Sequence, residues 1–451
     1  MTDVTRPAEP ITALRAEGRG GLSRILGWAM WDWGSQPFNT VITTFVFAVY
    51  LTSESFGSTN TTSTALAIST AVSGLLVALL APVLGQNSDR SGRGVRNLRI
   101  QTWILAALSA ALFFVRPEPA FLVVGLVLLG AGSIISEIAS VNYNASIEQV
   151  ASPRNVGRVS GFGWGMGYLG GILVLLLIYF LFIQPDVGLF GVTGDAGMDI
   201  RVSMIVCGVW ILLFTLPAFF VLKDTPKDAV PRVGVVDSYK LVWDSLRRLW
   251  GQSRHTVYFL GASALFRDGL AGVFAFGAIP AAGTFGLSAG EVIIFGAVAN
   301  IVAGIATMLF GLLDDVLGPK RVILISLVAL TALGLGIFVL HDGGKPVFWT
   351  PGLAMTAFVG PAQASSRSFL ARVIPEGQGG EIFGLYATTG RVVSFPAPAA
   401  FGLFIWIGSV VTGETNTQYW GILGIALVLV AGLAVLIPVK TPEQQVGSQA
   451  G

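Results

Sequence analysis

Six ionisable side chains stand where an apolar sequence should exclude them. Asp32, Glu137, Arg267, Asp268, Arg367 and Arg391 each fall inside a long apolar run. A charge near a bilayer centre costs at least about 2.5–3.5 kcal/mol on insertion scales, so each is expected to face a cavity or a partner. Three acids and three bases can pair, hold a ligand of opposite charge, or take up and release protons. A carboxyl group in low-dielectric surroundings accepts a proton more readily than one in water, which makes Asp32 and Glu137 the candidates for proton coupling. A guanidinium matches a carboxylate in shape, so Arg391, with Arg367 and Gln363, is the candidate grip on an acidic group. For each of these residues the structural alternative is a packing ion pair or hydrogen bond. Arg367, close to the end of its run, is also placed to snorkel.

Amides extend the pattern. Asp32, Gln36 and Asn39 share one face of a helix, with Pro37 breaking the backbone ladder as a hinge. Asn142 and Asn144 follow Glu137, and Gln363 lies one turn before Arg367. Arg267 and Asp268 are adjacent and must point in different directions. Asp32-x-Gly34 and Asp268-Gly269 form a loose echo. The sequence holds no P-loop, nucleophile elbow or metal-ligand cluster, its two histidines are scattered, and its one cysteine lies in an apolar run; neither an enzyme nor a cofactor is expected. Gly165-Met-Gly167-Tyr-Leu-Gly170 has the spacing of a dinucleotide fingerprint, but no strand precedes it. Glycines at 163, 167 and 171 instead suit close helix approach, with Gly296 and Gly304 as possible facing residues.

The elements that must position these groups are membrane helices. Apolar residues make up 53% of 451 positions and charged residues 12%, with a mean hydropathy of +0.74, whereas soluble domains are about 25% charged. The apolar runs fall near 26–51, 63–84, 98–115, 120–146, 159–183, 202–222, 257–282, 288–313, 321–340, 347–370, 382–407 and 418–438. This predicts an all-α membrane protein of twelve transmembrane helices, six on each side of a polar middle. With both termini cytoplasmic, 21 of the 27 lysines and arginines fall on the inner side, three outside and three within helices, as the positive-inside rule requires. The expected division is a tail over 1–25, a bundle over 26–222, a linker over 223–256, a second bundle over 257–440 and a tail over 441–451. In the linker, Tyr239, Val242, Trp243, Leu246, Leu249 and Trp250 share one helical face and Lys240, Asp244, Arg247 and Arg248 the other, an amphipathic helix suited to a membrane surface. The net charge of +2 gives no reason to expect nucleic acid as a partner.

One motif occurs twice. Gly85, Asp89, Arg90, Gly92, Arg93 and Arg96 form a charge-dense stretch read as a tight loop between the second and third runs. Gly311, Asp315, Gly318, Lys320 and Arg321 repeat it between the eighth and ninth, at a constant offset of 226. Agreement at three positions points to a duplicated half. The aspartate can cap a neighbouring helix or pair with an arginine.

These paired glycine–aspartate–basic stretches in a six-plus-six chain resemble the signature of the major facilitator superfamily, over the whole chain, although Asn87 stands where that family usually has an aliphatic residue. Trp31-Asp32-Trp33, Tyr143-Asn144-Ala145, Gly161–Gly171, Gln363-Ala-Ser-Ser-Arg367-Ser368 and Phe383-Gly384-Leu385-Tyr386 are similar to an unknown major facilitator branch related to vacuolar amino-acid effluxers. That branch typically has tyrosine, alanine and asparagine where this chain has Trp31, Gly34 and Ser35. The resemblance implies two pseudo-symmetric six-helix bundles around a cavity lined by helices one, four, seven and ten, those that carry Asp32, Glu137, Arg267 with Asp268, and Arg367. It implies a monomeric secondary transporter in the cytoplasmic membrane, moving an amino-acid-like solute by proton-coupled alternating access. Asp89 and Asp315 would then hold the inward gate. Trp28, Trp31, Trp33 and Trp164 suit an alternative, export of amphipathic drug-like molecules, with interface anchoring as a further reading of Trp28. A receptor built on a transporter fold is the remaining alternative.

Overall fold

The computed structural model describes residues 21–225, 235–375, 377–414 and 416–441. The tails over 1–20 and 442–451 and the linker residues 226–234, with Arg6, Arg15, Arg19, Lys227 and Arg232, lie outside the described residues. Helix α1 is Leu22–Pro37, continued by π-helical Phe38–Phe45 and a short helix Phe47–Leu51. It is followed by α2 (Thr59–Ser91), α3 (Gly94–Ala111), α4 (Leu122–Ala145), α5 (Val156–Ile178) and α6 (Met198–Val221). The second half contains α7 (Arg254–Phe276), α8 (Ala289–Leu317), α9 (Pro319–Val339), α10 (Lys345–Val373), α11 in two pieces (Gly379–Val392 and Pro396–Thr412) and α12 (Gly421–Leu436).

Among the described residues, ten spans are long and apolar enough to cross a membrane. The other two expected crossings are α1 and α10. Asp32, Gln36 and Asn39 lower the hydropathy of the α1 crossing, and Gln363, Arg367 and the neighbouring serines lower that of α10. The two crossings that fail a simple hydropathy test are thus the ones that carry Asp32 and Arg367.

Packing repeats between the halves. In the first, α1 packs on α5 and α6, α3 on α4 and α6, and α2 on α4; in the second, α7 packs on α11 and α12, α9 on α10 and α12, and α8 on α10. Adding six to each number in the first set gives the second. The halves meet along α5 with α8 and α2 with α11, which the same operation exchanges. Large apolar side chains such as Val127, Phe220, Leu309 and Val410 are exposed on the outside, where lipid would cover them.

Three sequence expectations need correction. The Gly85 motif is not a loop: α2 continues through Gly85, Asp89 and Arg90, and the turn is made at Gly92, whose φ of 62° lies in the left-handed region that favours glycine. Gly311 and Asp315 are likewise helical, and Gly318 with φ 85° turns the chain. The eleventh run is not continuous. It breaks at Val393–Phe395 because Pro396 has no N–H to donate and disfavours helical backbone before it.

The glycines of α5 divide between two faces. Gly163, Gly167 and Gly171 take the side chains of Trp28, Gln36 and Thr40 on α1, while Gly161 and Gly165 meet the backbone of α8 at Thr307 and Gly304. Gly304 faces α5 as expected, but Gly296 is nearest Phe45. The linker helix spans Val235–Gln252. Its expected apolar face also divides, with Val242 and Leu249 buried against the protein and Trp243 and Trp250 exposed.

Candidate functional site

A cavity of about 360 Å3 lies between the halves, within the ~300–1,000 Å3 typical of small-molecule sites. Nine of the ten predicted substrate or coupling residues line it: Asp32, Gln36, Asn39, Glu137, Asn144, Arg267, Asp268, Gln363 and Arg391. The tenth, Arg367, reaches it through its partners. The lining departs from the expected four helices. α11 contributes Phe383, Tyr386, Ala387, Gly390, Arg391 and Ser394, α5 contributes Trp164, and α10 contributes only Gln363.

Among the described residues two ion pairs cross between the halves at the cavity, and they differ in burial. Arg367 of α10 leaves its own bundle and enters the other. Its Nη1 donates to Asp32 Oδ2 at 3.3 Å and Asn144 Oδ1 at 3.2 Å, its Nε to Ser160 Oγ at 2.9 Å and its Nη2 to the Ser160 carbonyl at 2.6 Å. Tyr143 donates its hydroxyl to the same Asp32 oxygen at 2.9 Å. The guanidinium lies 5.0, 5.7 and 5.1 Å from the rings of Trp28, Tyr143 and Trp164, an arrangement that favours a cation. Side-chain exposures of 1% for Arg367 and 11% for Asp32 exclude the snorkelling expected for Arg367. Desolvation is instead answered by four hydrogen bonds and three ring faces.

The second pair, Glu137 of α4 with Arg391 of α11, is open to the cavity. Its side chains are 32% and 34% exposed. Arg391 sits in the last turn before the break in α11, where the helix end favours a cation. Its stem runs past Gly74 of α2, where a built Cβ would lie 3.9 Å from Arg391 Cδ. The Arg391 carbonyl, released from the helical ladder, accepts from Ser394 Oγ at 2.8 Å.

Arg267 and Asp268 point apart as expected, and both hold α11. Arg267 Nη1 donates to the Tyr386 carbonyl at 3.0 Å while the guanidinium lies 3.9 Å from the Tyr386 ring centroid. Asp268 Oδ2 accepts from the Ala397 N–H at 2.6 Å, capping the helix that restarts after the break.

The face carrying the basic turns is closed by two equivalent contacts. Asp89 on α2 accepts from the N–H groups of Gly380 at 2.9 Å and Glu381 at 2.8 Å, at the start of α11. Asp315 on α8 accepts from the N–H groups of Gly157 at 2.8 Å and Arg158 at 3.2 Å, at the start of α5. Asp315 also pairs with Arg158 Nε at 2.9 Å and Arg372 Nη2 at 3.1 Å, and Asp314 pairs with Arg372 Nη1 at 2.5 Å. The glycines of the motif permit this approach: a side chain on Gly85 would collide with the Gly380 carbonyl, and one on Gly311 with the backbone of Gly157 and Gly161. The basic members take other positions. Arg93 and Arg321 are exposed, Arg90 is half-buried, and Lys320 donates to the Ile437 carbonyl at 2.7 Å.

Trp28 is not an interface anchor. It is fully buried, stacks on Tyr143 and donates to Ser146 Oγ at 3.0 Å. Trp33 packs against Trp210, and Trp31 and Trp164 reach the cavity. Sequence reasoning missed Ser160, whose residue type gives no signal inside an apolar helix. It also missed Asp314 with Arg372, for which the Asp314-Asp315 doublet was a usable sign.

The chain matches a family model described as "Vacuole effluxer Atg22 like" over residues 49–446. It is similar to an uncharacterised MFS-type transporter YxiO of Bacillus subtilis, 23% identical over 426 residues covering 92% of this chain and 94% of that one. It is also similar to autophagy-related protein 22 of Yarrowia lipolytica, 25% identical over 62% of this chain and 51% of that protein; the chain spans about half the length of the fungal relatives. Among solved structures it resembles the major facilitator proton:xylose symporter XylE, with a TM-score of 0.67, 14% identity and 95% and 98% coverage of the two chains. A bacterial homologue of the iron transporter ferroportin matches with a TM-score of 0.64, 15% identity and 92% and 98% coverage.

Proposed function

The chain belongs to the Atg22-like vacuole effluxer family and is a transporter of the major facilitator superfamily; we propose that it moves an amino-acid-like solute out across the cytoplasmic membrane by proton-coupled alternating access. The observation that carries this reading is the cavity between the halves, where a carboxylate from one half is paired with a guanidinium from the other and Gln36, Asn144 and Gln363 share the lining. A solute with an acidic and a basic group finds complementary charges there and amides for its remaining hydrogen bonds. The bundles over 26–222 and 257–440 rock about this site as rigid bodies. The Asp89 and Asp315 contacts release when the inner side opens, and both termini stay cytoplasmic. Asp32 and Glu137 carry the proton: each is paired with an arginine across the interface, so protonating either carboxylate weakens a bond that holds the halves together. Moving one charge through 100 mV supplies about 2.3 kcal/mol, enough to bias the cycle.

Uptake of radiolabelled amino acids into proteoliposomes, with and without an imposed pH gradient, tests this. Uptake should follow the gradient and be lost with Asp32→Asn combined with Glu137→Gln. Flux that ignores the gradient, or survives both substitutions, removes the proton-coupling role. Export of amphipathic cations is the second reading, supported by Trp31, Trp164, Phe383 and Tyr386 on the cavity wall; a lipophilic cation out-competing amino acids in the same assay would favour it.

A further inference from the structure

The two ion pairs that cross between the halves at the cavity are alike in chemistry and opposite in setting, which divides their work. Arg367 is enclosed by Asp32, Ser160, Asn144 and three aromatic rings and is almost fully buried. A ligand in the cavity can approach it only after those contacts are dismantled. Glu137 and Arg391 are less enclosed: each side chain keeps about a third of its surface exposed. Arg391 also stands where the ladder of α11 stops, and its stem passes over Gly74, with no side chain on that side to fix it.

We propose that the Glu137–Arg391 pair is the receptor for the solute's head group, which binds by exchange. The solute's ammonium takes Glu137, its carboxylate takes Arg391, and the bond between the two side chains is replaced by two bonds to the solute. This rests on the amino-acid-like reading above and narrows it to zwitterions carrying both charges on one small head. The reason is the cost of an unpaired charge. A carboxylate alone would capture Arg391 and leave Glu137 without a partner, and an amine alone would do the reverse; in a site screened from bulk water the stranded charge opposes binding. Only a zwitterion satisfies both, and it severs the direct link between α4 and α11 while the Asp32–Arg367 link remains. Binding therefore loosens one of the two cross-bundle pairs at the cavity, the change a carrier needs if loaded and empty forms are to move differently.

Thermal-shift measurements on the purified full-length protein, with each of the twenty standard L-amino acids, then with the methyl ester and the deaminated acid of whichever shifts most, decide the matter. The zwitterion should bind at least about tenfold more tightly than either singly charged analogue. Glu137→Gln should reverse the penalty for the deaminated acid, and Arg391→Gln that for the ester, because each removes the charge that would be stranded. If either variant fails to fold, the wild-type ranking of zwitterion, ester and acid carries the decision alone. Amino-acid binding with equal affinity for ester or acid, or variants with the wild-type ranking, overturns the exchange and leaves the amino-acid reading standing. No shift with any of the twenty overturns both.

Discussion

At the scale of single residues, the charges were visible and their partners were not. An acid or base in an apolar run identifies itself, and five of the six picked out this way line one cavity together with four of the amides near them. Pairing is a different matter, because Glu137 and Arg391 are 254 positions apart and Asp32 and Arg367 are 335 apart; helical periodicity carries no information over such distances. Ser160 accepts two hydrogen bonds from Arg367, yet nothing in its sequence setting distinguishes it from any small residue in a membrane helix. The difference in burial between the pairs sets different expectations for their removal. Arg367→Ala leaves Asp32 buried without its cation and should cost roughly 3–5 kcal/mol. Arg391→Ala acts on a pair about one third exposed and should cost less, about 1–2 kcal/mol, between the surface and the buried cases. Thermal denaturation in detergent checks this as a much larger fall in Tm for Arg367→Ala. Arg367→Lys should not restore the loss, since a lysine cannot reproduce the forked contacts to Ser160 and Asp32.

At the scale of elements, run length and hydropathy located the crossings, and what they missed was local irregularity. The π turn Phe38–Phe45 and the break at Val393–Phe395 both lie inside single runs, where Pro37 and Pro396 were the only local signs of them, and both flank the cavity. Discontinuous helices are tolerated in a membrane where they border protein or a wet cavity, so the irregularity and the site belong together. The restart of α11 depends on Asp268 capping Ala397. Asp268→Ala should lose a cap worth about 0.5–2 kcal/mol and, by loosening the segment behind Arg391, slow turnover in proteoliposomes while substrate affinity changes little; Asp268→Asn, which can still cap, should recover much of the rate. The glycines of the repeated motif were read as turn formers, whereas Gly85 and Gly311 work by lacking a side chain where helices cross. Gly85→Leu places bulk against the Gly380 carbonyl and should hold the basic face open, seen as faster thiol labelling of a cysteine placed at Ser88.

At the scale of the whole molecule, a constant offset of 226 between motif copies is answered by a packing pattern that maps the first six helices on the second six. The duplication was legible because both copies keep residues of special type, glycine for close approach and aspartate for an exposed helix end. What the offset could not convey was which helix each aspartate meets: Asp89 caps α11 and Asp315 caps α5, each in the opposite half. These contacts are the physical basis for expecting two states. They join the halves at one end only, beside helix N-termini that favour a negative charge, and they can be broken without unfolding either bundle.

The central claim is that the halves rock about the charged cavity, opening one end as the other closes. Electron–electron resonance distances between spin labels test it most directly, since the one native cysteine, Cys207, is buried. One label pair belongs at exposed Arg154 and Val316 on the basic face, the other at exposed Phe190 and Leu340 on the opposite face. Combining Asp89→Ala with Asp315→Ala should lengthen the first distance and shorten the second in the same sample. Distances that stay fixed, or that lengthen together at both ends, would contradict alternating access about this site.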